Sequence, residues 1–150
     1  MNKKSTTELE KVLKSTHPEN IKSYYTDEED SLYDEDNSFR RFIKESIKGK
    51  KTLHEVFFGA EINEGYGYKL LSGEKHTNKR DVILRICLAS ELDLKETQTA
   101  LKLYGFSPLY ARIKRDALLI SAINERMSVE QINDLLKTKG FPVLEECGTL

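Results

Sequence analysis

The chain contains an internal repeat, and no other feature of the sequence constrains its fold as strongly. The segment from Asn78 to Phe106 returns 35 residues later, so that Lys79-Arg80-Asp81 becomes Lys114-Arg115-Asp116 and Gly105-Phe106 becomes Gly140-Phe141. A period of this length is typical of repeats built from two helices. The repeat therefore predicts two helical hairpins of similar design, a similarity that by itself can reflect packing alone.

Capping residues predict where the second helix of each copy begins and ends. Asp93-x-x-Glu96 and Ser128-x-x-Gln131 occupy equivalent positions, and each has the spacing of a capping box. Gly105 and Gly140 stand where a left-handed residue would end these helices, and the phenylalanine after each supplies the apolar contact of a Schellman-type end. Each copy is thus predicted to be a helix, a turn and a second helix.

Composition favours one charged domain with an appendage. Of the 150 residues 33% are charged and 38% are hydrophobic, and no apolar run approaches the roughly 20 residues that cross a bilayer. The N-terminal residues lack the apolar segment of a signal peptide. We therefore expect a cytoplasmic protein with no membrane partner, in which Cys87 and Cys147 are reduced thiols.

Charge is divided unevenly along the chain. Residues 1–36 carry 5 Lys/Arg against 10 Asp/Glu, residues 37–80 carry 10 against 5, and residues 81–150 carry 9 against 10. A basic middle segment is suited to contact phosphate. The acidic run from Asp27 to Asp36 is either a solvated linker or a phosphate mimic that covers the basic segment.

Helix signals occur throughout the leader and the basic segment. Thr7-x-x-Glu10 predicts a capping box for a first helix, and a second is predicted from Pro18 to Tyr25. From Ser38, which is predicted to cap a third helix ending at Gly49, apolar residues recur at helical spacing. The core-facing residues of this helix are Phe39, Phe42, Ile43 and Ile47.

Two short helices follow in the basic segment. Thr52 is predicted to cap the first, which carries Glu55 as the capping-box partner, and Gly59-Ala60 is predicted to allow a tight turn with close packing. Its apolar residues are Leu53, Val56 and Phe57. Asn63 is predicted to cap the second, which stops at Gly73. Two short helices joined by a few residues and followed by a basic stretch form the helix-turn-helix pattern.

Residues 38–105 resemble the five-helix DNA-binding domain of the Xre/Cro/phage-repressor family. The resemblance aligns Thr52–Ala60 with the second helix, Asn63–Ser72 with the recognition helix, and Lys79–Glu91 and Asp93–Tyr104 with the fourth and fifth helices. Bacterial Xre-like regulators of one group also carry a tyrosine-rich third helix and a second helix pair that begins with Arg-Asp, as at Arg115-Asp116 here. The resemblance to this family is weak over the N-terminal residues 1–36.

The resemblance implies a DNA interface without cofactor or metal. In this family the start of the third helix enters the major groove and the flanking cations contact phosphate. The residues expected on the helix are Asn63, Glu64, Gly65, Tyr66, Tyr68 and Lys69. The expected flanking residues are Lys75, His76, Lys79, Arg80, Arg40 and Arg41, with Lys44 as an addition. Double-stranded DNA is the implied partner.

Departures from the family pattern keep a second interpretation open. The family usually has Gln or Ser where Glu64 and Gly65 stand here, and Gly67 occupies a position where a buried aliphatic residue is expected. Either Tyr66 or Tyr68 would then fill the core. The alternative function is a helical protein-interaction adaptor on a scaffold that has lost DNA binding.

The second copy is the candidate assembly surface. Regulators of this family commonly dimerise to meet two half-sites, so we expect a homodimer or a protein partner at this hairpin. Charged residues at the start of this hairpin are predicted to interact electrostatically with the helix start and to form an internal ion pair. They are Arg112, Arg115 and Asp116. A small-molecule or peptide sensor built on this hairpin is a further possibility, for which the sequence contains no pocket signature.

We therefore expect an all-α protein, in which a five-helix Xre/lambda-repressor-like helix-turn-helix domain is extended by a second helical hairpin. The expected divisions are an acidic leader at 1–36, the DNA-binding domain at 37–106, the hairpin at 107–141 and a tail at 142–150, of which residues 145–150 are expected to be frayed. No nucleotide-binding loop, zinc-protease motif or nucleophile signature is present, so we do not expect an enzyme.

Overall fold

The computed structural model describes residues 4–32 and 38–147, in which all regular structure is helical. This confirms the predicted all-α class for these ranges. The α-helices of the described residues are α1 (Thr6–Lys14), α2 (Ile21–Asp27), α3 (Ser38–Ile47), α4 (Leu53–Ala60), α5 (Glu64–Ser72), α6 (Arg80–Ala89), α7 (Leu94–Tyr104), α8 (Lys114–Asn124) and α9 (Val129–Thr138). Short 3-10 turns lie at Pro18–Asn20 and Glu29–Ser31.

The chain divides into two compact units, residues 1–34 and 35–150. In the first unit α1 is capped by Ser5, whose hydroxyl accepts a hydrogen bond from the backbone N–H of Glu8. The predicted capping box at Thr7 was wrong, because Ser5 already satisfies the free amide and Thr7 lies inside the helix. Residues 33–36 of the acidic run lie outside the described residues.

An ion pair between Lys4 and Glu28 links the two ends of the described part of this first unit. The Lys4 ammonium lies 2.6 Å from Oε1 of Glu28, a carboxylate that is buried although it belongs to the acidic run. The predicted second helix is a 3-10 turn at Pro18–Asn20 that continues into α2. Part of the run predicted to be linker is therefore folded, since Asp27 ends α2 and Glu29–Ser31 forms a further 3-10 turn.

Helix α6 is the centre of the second unit. Every residue from Asp81 to Ala89 is buried, because α4, α7 and α9 all pack against this helix. α3 packs on α5 and α7, and α8 packs on α7 and α9. The second hairpin thus shares the core of the five preceding helices.

Two predictions in the basic segment were wrong, the cap of α3 at Ser38 and the turn at Gly59-Ala60. Ser38 is the first residue of α3 and is buried, so it is not the cap residue that precedes the helix. Gly59 and Ala60 are helical, and α4 ends at Ala60, where the C-cap residue Glu61 follows with a left-handed φ of 58°. A Cβ on Gly59 would lie 3.5 Å from the Cβ of Ala89, so this glycine permits close packing of α4 on α6.

The predicted caps of the two hairpins are confirmed. Both capping boxes form, at the start of α7 and at the start of α9. Gly105 and Gly140 have left-handed φ angles of 106° and 80°. The N–H of the phenylalanine that follows each glycine donates to the carbonyl five residues earlier, at 2.8 Å for Phe106 and 2.9 Å for Phe141.

The Arg-Asp pairs of the two copies bind each other reciprocally. Arg80 Nη2 donates to Oδ1 of Asp116 at 2.5 Å, and Arg115 donates through both terminal nitrogens to the carboxylate of Asp81 at 3.2 and 2.9 Å. The predicted ion pair of the second copy therefore forms with the first copy. Asp81 and Asp116 are buried, and this exchange joins the starts of α6 and α8.

The C-terminal segment 142–147 is docked, so the prediction that the tail frays from Glu145 was wrong for residues 145–147. Leu144 is fully buried, and its N–H donates to Oδ1 of Asn133 at 2.9 Å. The guanidinium of the buried Arg85 donates to the carbonyls of Leu144 and Glu145. An extended segment can dock this way because α6 supplies the donors that its backbone needs.

Candidate nucleic-acid interface

Helices α4 and α5 are joined by the short connection 61–63, and α5 begins and ends where the sequence predicted. The Asn63 side chain accepts a hydrogen bond from the N–H of Tyr66 at 3.1 Å. Gly73 ends the helix with a left-handed φ of 85°. Because both ends are held by local chemistry, α5 presents a defined set of side chains.

The inner face of α5 is closed by Phe57 of α4. An added Cβ on Gly67 would lie only 2.5 Å from Cδ1 of Phe57, so the aromatic ring occupies the place of the expected aliphatic side chain. The Tyr68 ring meets Phe57 edge-on at 5.1 Å and remains 44% exposed. Tyr66 is partly buried against the core. Phe57 therefore fills the core, and Tyr68 keeps an outward-facing edge.

This packing predicts opposite effects for two glycines of the same helix. Gly67→Ala is expected to lower the free energy of unfolding by about 1–2 kcal/mol, because overpacking against Phe57 exceeds the gain in helix propensity. Gly65→Ala, whose Cβ would meet only Asn63 Oδ1 at 3.3 Å, is expected to be neutral or to stabilise by up to about 1 kcal/mol. Urea unfolding of both variants measures the difference. Equal stabilities would contradict the packing of Phe57 on Gly67.

The first turn of α5 carries a hydrogen bond to α4 on its exposed side. Glu64 Oε2 lies 3.0 Å from Nδ1 of His54 on α4, and both side chains are exposed. The carboxylate next to His54 in the sequence is that of Glu55, which instead caps α4. When His54 is protonated, this contact offsets the acidic charge at the tip of α5. A partner ten residues away is found only once the two helices are in position.

A basic groove lies between α3 and α5. Its volume is about 240 Å³, and it is lined by Arg40, Lys44, Leu53, Tyr68, Lys69, Leu71, Ser72 and Glu74. Three cations thus face one carboxylate around the exposed tyrosine edge. Arg41 is also exposed on α3. The groove combines positive charge with an aromatic surface, which is a combination that suits phosphates and bases.

An aromatic stack anchors the segment after Gly73. The His76 ring stacks on Tyr104 at 4.8 Å with an interplanar angle of 18°, and Tyr104 stacks on Phe106 at 5.4 Å. The backbone N–H of Thr77 donates to the Tyr104 hydroxyl at 2.9 Å. Burial raises the pKa of Tyr104, which keeps this phenol protonated. Lys75, just before the stack, is exposed.

Two of the predicted phosphate ligands contact the protein itself. Lys79 Nζ donates to the backbone carbonyl of Glu146 at 3.2 Å, and Arg80 is paired with the buried Asp116. The expected cationic set is therefore divided. Arg40, Lys44 and Lys69 meet at the groove, whereas Lys79 and Arg80 hold the C-terminal segment and the second hairpin.

Neither thiol suits a reactive site. Cys87 and Cys147 are free cysteines, and burial raises the pKa of Cys87 to about 12. Burial also raises the pKa of Cys147. Both cysteines therefore remain largely in the unreactive thiol form near neutral pH.

Comparison with known proteins identifies no relative of this chain. No protein-family model, curated protein or solved structure matches the chain. Within residues 4–32 and 38–147 no helix is long and apolar enough to span a membrane. In the same ranges no group of three or more His, Cys, Asp or Glu side chains could hold a metal ion.

Proposed function

We propose that this chain is a sequence-specific DNA-binding regulator of the Xre/Cro/phage-repressor type, which acts by occupying an operator. The proposal takes α3–α7 as the five-helix domain, α4 and α5 as its helix-turn-helix, and α8–α9 as an extension. The observation that carries it is the basic groove, because Arg40, Lys44 and Lys69 converge beside the exposed side of α5. This charge lies where a recognition helix meets the DNA backbone.

Base contacts in this proposal come from the first two turns of α5. The Lys69 ammonium would donate to guanine O6 or N7, and the Glu64 carboxylate would accept from a cytosine amino group. Gly65 is exposed and has no side chain, which allows the helix backbone to approach the bases. Tyr68 would contact a base or a phosphate with its exposed edge.

Phosphate contacts come from both sides of the groove. Arg40, Arg41 and Lys44 lie on α3, and Lys75 follows the end of α5. His76, held in its aromatic stack, is adjacent to Lys75. Lys79 and Arg80 are left out, since a phosphate would have to break the contacts that these residues make to Glu146 and Asp116.

Repression or activation would follow from occupancy, with no chemical step and no cofactor. A dimer would let two copies of α5 read two half-sites. The second hairpin is the proposed assembly surface, because Tyr110 and Ile113 before α8 and Val143 after α9 are exposed apolar residues.

Lys69→Ala is the direct test of the proposal. Wild-type protein is expected to bind its own upstream DNA more tightly than scrambled DNA, with an affinity that falls steeply as salt rises. Loss of the proposed base contact should cost about 1–3 kcal/mol on the preferred DNA and remove the preference. Fluorescence anisotropy across a salt series measures both quantities.

Two further variants separate base contacts from phosphate contacts. Arg40→Ala should weaken binding to both DNAs alike and reduce the salt slope by about 1. Lys102→Ala, an exposed lysine on α7 away from the groove, should leave binding unchanged. If wild type shows no preference for its upstream DNA, selection from random DNA follows, and failure to enrich any sequence would refute DNA recognition.

A protein-interaction adaptor is the second candidate, and one observation favours it. Phe58 on α4 is 82% exposed, and a large apolar side chain left in solvent can mark a protein-binding surface. A folded protein that is indifferent to DNA of every sequence, but whose binding to a partner protein is lost in Phe58→Ser, would support this function over the first.

A further inference from the structure

A second concave site lies away from the basic groove. It has a volume of about 470 Å³, within the range that holds small molecules, and it is formed by the ends of α3, α6 and α8 and the start of α7. The lining residues are Ser46, Lys50, Leu88, Ser90, Glu91, Leu92, Glu96, Ile123, Arg126 and Met127. The site therefore combines residues of both repeats with the first helix of the second unit.

The repeat itself shapes this cavity. Glu91 and Arg126 occupy equivalent positions in the two copies, and both have left-handed φ angles, of 58° and 59°. Arg126 Nη1 donates to the backbone carbonyl of Glu91 at 3.1 Å. The two turns are thus joined at the edge of the cavity, and Leu88, Leu92 and Ile123 behind them supply apolar side chains.

Ser90 provides a polar group without a protein partner. It lines the cavity and is only 5% exposed, yet its hydroxyl makes no hydrogen bond to any residue in 4–32 or 38–147. Leaving a buried hydroxyl unpaired is unfavourable, so such groups in folded proteins usually have a reason to be retained. The oxygen is buried, so a rotation of the Ser90 side chain toward the cavity would let a bound ligand supply the missing partner.

The acidic residues that line the cavity have partners in the protein, whereas the basic residues have fewer. The Glu91 carboxylate lies 3.5 Å from the Lys51 ammonium outside the lining, and Glu96 caps α7 through the N–H of Asp93. The Lys50 ammonium has no ion pair or hydrogen bond to another described residue. Both carboxylates are thus occupied, whereas Lys50 remains available and the Arg126 guanidinium contacts only a neutral carbonyl.

We propose that this cavity binds a small amphipathic anion, with its apolar body on Leu88, Leu92 and Ile123 and its acidic group toward Lys50. Ser90 would hydrogen-bond a polar atom of the same ligand. Because α3, α6 and α8 all contribute, bound ligand would stabilise the packing of the second hairpin on the remainder of the unit. This inference does not depend on DNA binding, and its test contains no DNA.

The test uses two dyes that share one apolar body. 8-Anilinonaphthalene-1-sulfonate carries an anionic group, and N-phenyl-1-naphthylamine has the same rings without it. Fluorescence titration of the full chain should give saturable binding of one sulfonate dye per chain, about tenfold tighter than the neutral dye, because a charge-assisted contact to Lys50 is available only to the anion.

Three variants locate the binding. Lys50→Gln should weaken binding of the sulfonate dye by about tenfold and leave the affinity for the neutral dye unchanged. The matched change Lys48→Gln, outside the lining, should change neither affinity. Ser46→Leu should obstruct the cavity and weaken the binding of both dyes. Circular dichroism establishes that each variant is folded.

The other outcomes overturn the proposal. Absence of saturable dye binding to wild type would exclude the cavity as a ligand site. Equal affinity for the two dyes, or an unchanged affinity of the sulfonate in Lys50→Gln, would exclude an anion as the ligand. Binding that persists in folded Ser46→Leu would show that the dyes bind elsewhere.

Discussion

Arg85→Ala is expected to lower the free energy of unfolding by about 3–5 kcal/mol, the largest effect of any single substitution considered for this chain. The side chain is only 2% exposed. Its nitrogens donate to the carbonyls of Ala60, Leu144 and Glu145 at 3.2, 2.8 and 2.9 Å. Alanine would leave these carbonyls without their donor and would create a cavity in the centre of the unit.

The loss should be visible both globally and locally. Urea unfolding measures the change in stability, and hydrogen exchange should show that the N–H of Leu144 and Glu145 loses protection well below the global unfolding free energy. Arg112→Ala is the matched control, because Arg112 is exposed, and it should change stability by less than about 0.5 kcal/mol. A loss below about 1 kcal/mol in Arg85→Ala would mean that the C-terminal segment is not held through this guanidinium.

Asp116→Ala is expected to cost about 2–3 kcal/mol, the second largest effect. This carboxylate is 2% exposed and accepts hydrogen bonds from Arg80 and from the backbone N–H of Tyr110. Removing one partner of a buried ion pair usually costs about 3–5 kcal/mol. The expected loss is smaller here, because Arg80 is partly exposed and water can solvate its guanidinium.

Thermal or urea unfolding measures this loss, and Asp134→Ala serves as the control. Asp134 is an exposed aspartate on α9, so its replacement should change stability by less than about 0.5 kcal/mol. Asp81→Ala should resemble Asp116→Ala, since Asp81 accepts from Arg115 and from the N–H of Glu145. If only one of the two aspartates mattered, the reciprocal exchange between the repeats would not be a stabilising unit.

Arg85 and Asp116 lie in the core contacts that support the proposed interface. α4 packs on α6, and α6 is held by Arg85, Asp81 and Arg80 to the C-terminal segment and to α8. Weakening these contacts would loosen the support of α4 and therefore of α5. Lys69→Ala changes an outward-facing position of α5, so a loss of DNA preference with unchanged stability would separate recognition from folding.

Local interactions were predictable from sequence because their partners lie within a few residues. The capping boxes that begin α4, α7 and α9, the Asn63 cap and the left-handed ends at Gly73 and Gly105 all depend on neighbours in the chain. Apolar periodicity likewise predicted buried residues such as Ile43 and Phe57. These signals were sufficient for the all-α class and for the limits of the proposed recognition helix.

The candidate site was only partly accessible to the same reasoning. Charge and a family resemblance predict Arg40 and Lys69 as site residues, and the groove brings them to one surface. The same reasoning predicts Lys79 and Arg80, but their contacts are to Glu146 and Asp116. Sequence charge cannot distinguish these cases, because a cation facing solvent and one facing a buried carboxylate have the same local pattern.

The sequence by itself therefore determined most of the helices, the N-terminal caps of α4, α5, α7 and α9, and the repeat, since each of these depends on interactions over a few residues or on a visible period. Only the tertiary structure decided that each arginine of the two Arg-Asp pairs binds the aspartate of the other pair. It also decided that Phe57 occupies the space beside Gly67 and that the C-terminal segment docks through Arg85. The physical reason is that burial and hydrogen-bond satisfaction are properties of the assembled core, in which groups distant in the chain compete for the same partners.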